Sequence, residues 1–125
     1  MAADGSAQIT EETYGSVKLI KYEWTAGTGG TVLADCTSES FYCGQLLSVV
    51  TVPGTAGDAP TDDYDVTLLD KYDVDLMADA GADRATGTTE TILSGSLGAV
   101  VNSQIELNVA NAGSAGTGVV YVTVR

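Results

Sequence analysis

The chain has 125 residues and a mass of 12.8 kDa, one domain's worth of sequence, long enough to bury roughly two-thirds of its unfolded surface without a metal or disulfide staple. Five Lys and Arg against 17 Asp and Glu, with no His, give a formal charge of -12 and a pI near 4.1, a surface that repels nucleic-acid phosphates and anionic lipid alike. No apolar run reaches the roughly eighteen residues of a membrane span, and the start MAADGSAQ lacks the basic and apolar regions of a signal peptide, so a soluble protein made inside a cell is expected.

Residue types point to an all-β chain: 14 Val, 16 Thr, 4 Ile and 6 Tyr favour strands, and 15 Gly supply turns and kinks. Residues 1–14 are polar and read as an N-terminal arm, of the kind that is ordered only when a partner holds it. Residues 15–125 read as a single β-sandwich domain. In its first run Lys18, Ile20, Tyr22 and Trp24 share one face, with Val17, Leu19, Lys21 and Glu23 opposite. Neither face is cleanly apolar, which predicts a bulge near Leu19-Ile20. Thr31 to Thr37 is the expected partner strand across the Gly27–Gly30 turn.

Gly44 to Val52 is apolar on both faces and reads as a central strand that Pro53-Gly54 ends. Residues 54–63 form a loop of ordinary length. Tyr64, Val66 and Leu68 alternate with Asp65 and Thr67; the chain then turns at Asp70-Lys71-Tyr72-Asp73 and returns through Val74, Leu76 and Ala78. An Asp at each end of that turn can accept local backbone N–H bonds. Asp79 to Ala85 is the best short helix candidate in a chain with little support for helix. Glu90 to Leu93 reads as a short strand, and Leu97 to Val101 as a strand or one helical turn. Finally Ile105, Leu107 and Val109 alternate, as do Val120, Val122 and Val124, and the Gly-rich loop 111–118 between them predicts an antiparallel hairpin. The expected fold is an antiparallel two-layer β-sandwich or jelly roll of seven to nine short strands.

Chemistry-bearing residues are abundant in kind and poor in pattern. Acid-base and nucleophilic catalysis lack the His that usually serves as base, and Ser in Gly-rich turns is turn chemistry. Paired carboxylates for glycoside hydrolysis would need a substrate cleft that a sandwich this small seldom has. Asp58, Asp62, Asp63, Asp65, Asp70, Asp73, Asp75, Asp79 and Asp83 place nine of the 17 acids within 26 residues. Calcium would suit such oxygens, but the spacing is not that of a twelve-residue EF-hand loop, and a solvated turn and strand face explains it as well. Gly113 to Gly118 has the look of a phosphate loop, yet it lacks a Lys and precedes a strand. Cys36 and Cys43 are too few for zinc; free thiols and a late disulfide remain equal alternatives. Trp24 and the Tyr and Phe side chains could form a sugar-binding platform, though spaced aromatics more often cover a core edge or a subunit contact. No residue is assigned as catalytic, cofactor-binding or metal-ligating.

The stretch Gly44-Gln-Leu-Leu-Ser-Val-Val-Thr-Val-Pro-Gly54, then Ala59-Pro-Thr-Asp-Asp-Tyr-Asp-Val-Thr-Leu-Leu-Asp70 and Val74-Asp-Leu-Met77, resembles small virion structural proteins of tailed bacteriophages. The ending Gly118-Val-Val-Tyr-Val-Thr-Val-Arg125 fits the same likeness, which spans roughly residues 40–125. The resemblance implies a non-enzymatic particle component, foremost a capsid decoration or cement protein bridging subunits of the head shell. A head-tail connector or tail component is the other virion position, and a carbohydrate-binding module is the reading from a different class. The implied partners are the major capsid protein or other virion proteins, with a homo-oligomer, a trimer, on the virion and neither nucleic acid nor membrane bound. Exposed sheet edges in a small sandwich favour such closed assembly.

Overall fold

A computed structural model describes residues 5–125 except Ala34, and the backbone alone of Ala56. Among the described residues it contains eight strands: β1 (Ser6–Tyr14), β2 (Val17–Thr25), β3 (Tyr42–Pro53), β4 (Asp65–Leu69), β5 (Glu90–Leu93), β6 (Ala99–Ser103), β7 (Glu106–Ala110) and β8 (Thr117–Val124). Two short 3-10 turns, Ala56–Asp58 and Ser94–Ser96, complete the regular structure. The protein is therefore all-β and sandwich-like.

The two layers are unequal. The larger sheet runs β1-β2-β8-β3-β5, with β6 continuing beside β3, and all its pairings are antiparallel. The smaller holds β4 and β7. Irregular segments widen it: Val32 and Thr37 bridge to Val109 and Glu106 of β7, while Asp75 bridges to Leu69 of β4. Alternation decides which residues enter the space between. Ile20, Tyr22, Trp24, Val120, Val122, Val124 and Val49 from the large sheet meet Val66, Leu68, Leu107 and Val109 from the small one, all at most 1% exposed. Fully burying each Val, Leu or Ile contributes about 1.5–3 kcal/mol, so this interface is a large favourable term in the stability. The Tyr22 hydroxyl stitches the layers by donating to the Ile105 carbonyl at 2.6 Å, which keeps a buried polar group satisfied.

Several expectations are corrected by long-range pairing. Strands β7 and β8 are not a hairpin: β7 pairs with β4 and β8 lies between β2 and β3, so the loop joining them crosses from one layer to the other. The partners of β2 are β1 and β8, and the segment 31–37 supplies bridges to β7 instead. Residues 6–14 of the segment read as an arm are thus an edge strand, while residues 1–4 lie outside the described residues. Strand β2 keeps one register along its whole length against both neighbours, with no bulge at Leu19-Ile20. The irregularities fall in β3 instead, between Tyr42 and Gly44 and between Leu46 and Ser48, where one strand must serve β8 and β6 at different offsets. Residues 79–85 form turns and no helix, and the return from the Asp70 turn is a single bridge, not a strand. The central β3 and short β5 match what the sequence predicts, and of the two readings of Leu97 to Val101 the strand is the one formed, starting at Ala99 and running on to Ser103.

Candidate functional site

The acidic block lies along the loops that flank β4. Four of its carboxylates are occupied by backbone donors. Asp70 Oδ1 accepts the N–H groups of Tyr72 at 2.8 Å and Val74 at 3.1 Å, the local capping expected of a turn aspartate. Asp75 accepts three: Leu68 and Met77 on Oδ1 and Asp79 on Oδ2, at 3.3, 3.0 and 2.9 Å. Asp65 holds the N–H of Asp83 and the side-chain amide of Asn111, and Asp62 holds the N–H of Thr86. A further four, Asp63, Asp73, Asp79 and Asp83, have positive φ of 55–68°, backbone that Asp tolerates better than most residues. The ninth, Asp58, accepts the Thr117 hydroxyl on its backbone carbonyl. Aspartate is used here to build irregular chain, and no group of three or more potential metal ligands converges among the described residues.

A second carboxylate assembly lies on the other flank. Glu11 of β1 accepts Tyr42 Oη at 2.5 Å and the backbone N–H groups of Glu39 and Ser40 at 2.9 and 3.2 Å. Burial alone pushes its carboxyl upward, but these donors outweigh it and hold the group below its usual value. The partner Tyr42 is raised, by burial first, then by its hydrogen bond to Glu11 and by that carboxylate's charge. An open depression of about 560 Å³ lies beside it, lined by Ala7, Ile9, Glu11, Asp35, Thr37, Glu39 and Ser40.

Other candidate groups are separated by the fold. Cys36 is buried and its thiol is pushed up to about 11, chiefly by burial and then by Glu106; Cys43 is exposed, and both are free thiols. The loop at Gly113–Gly118 packs against the 27–30 turn and the 60–61 segment, with Ala112 N–H donating to the Gly30 carbonyl and Ala115 N–H to the Gly27 carbonyl. Its amides are thus partly engaged, unlike those of a phosphate cradle. Trp24, Tyr22 and Tyr64 are at most 1% exposed, and Trp24 packs on Tyr64 at 5.6 Å between ring centroids. They belong to the core. Tyr14, Phe41 and Tyr72 are the exposed rings.

Composition missed the outer face of the large sheet. Cross-strand register sets Leu19 beside Thr123 and Ser48, Lys21 beside Tyr121 and Val50, and Glu23 beside Val119 and Val52. All of these except exposed Glu23 are only half-buried. A depression of about 520 Å³ lies at one end of the face, lined by Gln8, Glu23, Thr25, Val52, Thr117 and Val119 among others. The signal was present in the sequence at Gly44 to Val52, a run apolar on both faces. What such a strand packs against could not be read without the pairing. Scans against protein-family models and searches of curated proteins and solved structures return no match to this chain. No helix among the described residues is long and apolar enough to cross a membrane.

Proposed function

We propose that this protein is a non-enzymatic structural component of a tailed-bacteriophage particle, and within that class a decoration or cement protein on the head shell. In this reading it forms a homo-oligomer, contacts the major capsid protein and resides on the virion. The observation that carries the reading is the division of labour on its surface. Four aspartates of the acidic block serve the protein's own loops, while the outer face of the large sheet presents half-buried Leu19, Val50, Val52, Val119 and Tyr121 interleaved with Ser48, Thr117 and Thr123. That is the economy of a building block. A protein that binds the assembled lattice and not separated subunits stabilises the lattice by mass action, and its acidic remainder keeps the decorated particle soluble.

Cryo-EM of the native particle tests the proposal. Copies arranged on the shell lattice, together with loss of shell thermal stability when the protein is stripped away, are the expected result. Density confined to the connector or tail would move the protein to another virion position, and its absence from the particle would overturn the proposal. The carbohydrate-binding alternative loses its best ring, because Trp24 is buried beneath the large sheet.

A further inference from the structure

We infer that the core holds a bound-water site among Trp24, Thr51, Tyr64 and Arg84, where the water serves as acceptor for side-chain donors that the protein itself leaves unserved. The site belongs to the isolated chain and stands apart from the virion reading.

Strand register assembles the group. Thr51 of β3 and Glu90 of β5 are cross-strand partners, and Tyr64 bridges to Arg84, whose N–H donates to the Tyr64 carbonyl at 2.7 Å. Cross-strand partners project to the same side of a sheet, which sets these side chains next to one another in pairs. Arg84 Nη1 then reaches Glu90 Oε1 at 3.8 Å and joins the two pairs. Trp24 packs on the Tyr64 ring at 5.6 Å between centroids. Burial raises the Tyr64 hydroxyl, while contact with Thr51 and the Arg84 charge draw it back, so the same ring meets all of these groups.

Within the group, Trp24 Nε1, Thr51 Oγ1 and Arg84 Nε are buried and have no hydrogen-bond partner among the described residues. Trp24 is 1% exposed and Thr51 0%, so bulk solvent does not serve them. Thr51 Oγ1 lies beside the Tyr64 hydroxyl without the alignment of a formed bond. Indole and guanidinium N–H groups only donate, so what the site lacks is an acceptor. Each buried donor left unserved costs about 1–3 kcal/mol, and native cores seldom carry several together.

Charge selects the acceptor. A halide would suit the two N–H groups, but the Glu90 carboxylate already stands beside Arg84 and the chain carries -12 overall, so an anion meets repulsion at both ranges. Water is neutral, accepts from both N–H groups, and returns its own hydrogens to the hydroxyl oxygens of Thr51 and Tyr64. That is the two to four bonds a buried water makes. The Arg84 side chain, 15% exposed, marks the side on which the site approaches solvent.

Trp24 is the single tryptophan of the chain, so its indole N–H resonance identifies itself. Nuclear Overhauser measurements on the folded protein should show a cross-peak between that proton and a long-lived water, and a high-resolution crystal structure should show water density within hydrogen-bond distance of Trp24 Nε1 and Arg84 Nε. Thr51→Val keeps the side-chain shape, removes one water ligand and should weaken the cross-peak. Absence of both the cross-peak and the density overturns the site, as does finding the two donors bonded to protein groups. A bromide anomalous peak at the same place would show an anion and overturn the water assignment. An undiminished cross-peak in Thr51→Val would also overturn the arrangement, and if that variant does not fold, the wild-type measurements decide alone.

Discussion

The Tyr42 hydroxyl donates to Glu11 Oε1 over 2.5 Å, tying the edge strand β1 to the start of β3, although β2 and β8 separate the two strands in the sheet. Two backbone N–H groups from Glu39 and Ser40 share the same carboxylate, so one ionised side chain anchors both the edge and the loop beneath it. Charge-assisted bonds of this kind are the stronger ones, worth about 1.5–3 kcal/mol each when removal leaves the partner unsatisfied.

Glu11 therefore makes part of the stability depend on pH. Its folded-state value lies below the ordinary 4.5 because donors from Tyr42, Glu39 and Ser40 outweigh burial. The unfolded chain takes up the proton first, so this contribution is fully present above pH 4.5 and is lost as pH falls through the lowered folded value. Glu11→Gln should lower stability near neutral pH by about 1–3 kcal/mol. The gap between wild type and variant should close on acidification, as read by urea melts from pH 7 to pH 3; a gap that stays constant would contradict the assignment.

Gly118 is where β8 passes under the Trp24 ring. A Cβ there would collide with Cζ2 and lie 2.7 Å from Cε2 of an indole that is 1% exposed and wedged against Tyr64. The ring cannot swing into solvent, so Gly118→Ala should cost about 1–3 kcal/mol through overpacking. Gly29→Ala, whose Cβ would meet nothing within 4 Å, is the control and should leave the melting temperature nearly unchanged.

The two cysteines should be chemically unequal. Burial raises the Cys36 thiol to about 11, whereas Cys43 is exposed. A thiol reagent at pH 8 should titrate one group rapidly in native protein and two in urea, because the thiolate is the reacting form. Finding no reactive thiol before reduction, or two of equal rate, would contradict the free and unequal pair.

Asp75 should matter as a backbone acceptor. Asp75→Asn keeps one acceptor oxygen and loses the other, so the N–H groups of Leu68, Met77 and Asp79 cannot all be served as before. A loss of about 1–2 kcal/mol is expected. Chelator or added calcium at matched ionic strength should leave the wild-type melting temperature in place, because the carboxylate oxygens of Asp62, Asp65, Asp70 and Asp75 already serve protein donors. A rise with calcium would reopen these loops as an ion site.

Legibility tracked how local each interaction is. The strand character of Gly44 to Val52, of 64–69 and of 118–125 was plain, since alternation and β-branching act within a few residues. The capping role of Asp70 was equally local. The false hairpin between β7 and β8 shows the limit: a Gly-rich loop between two alternating runs fits a hairpin and a crossover alike, and the choice rests on partners 39 and 73 residues away, Leu107 with Leu68 and Val122 with Val49. Glu11 was passed over for the same reason, because it sits in a polar stretch whose donors lie 28 to 31 residues downstream.

Composition by itself determined an acidic, all-β chain, because charge and the preference for extended backbone belong to residues one at a time. Only the tertiary structure decided that six strands face two and that the carboxylates of Asp62, Asp65, Asp70 and Asp75 are taken up by loop amides. Those outcomes depend on which strands pair, and pairing is settled by burying the whole core at once.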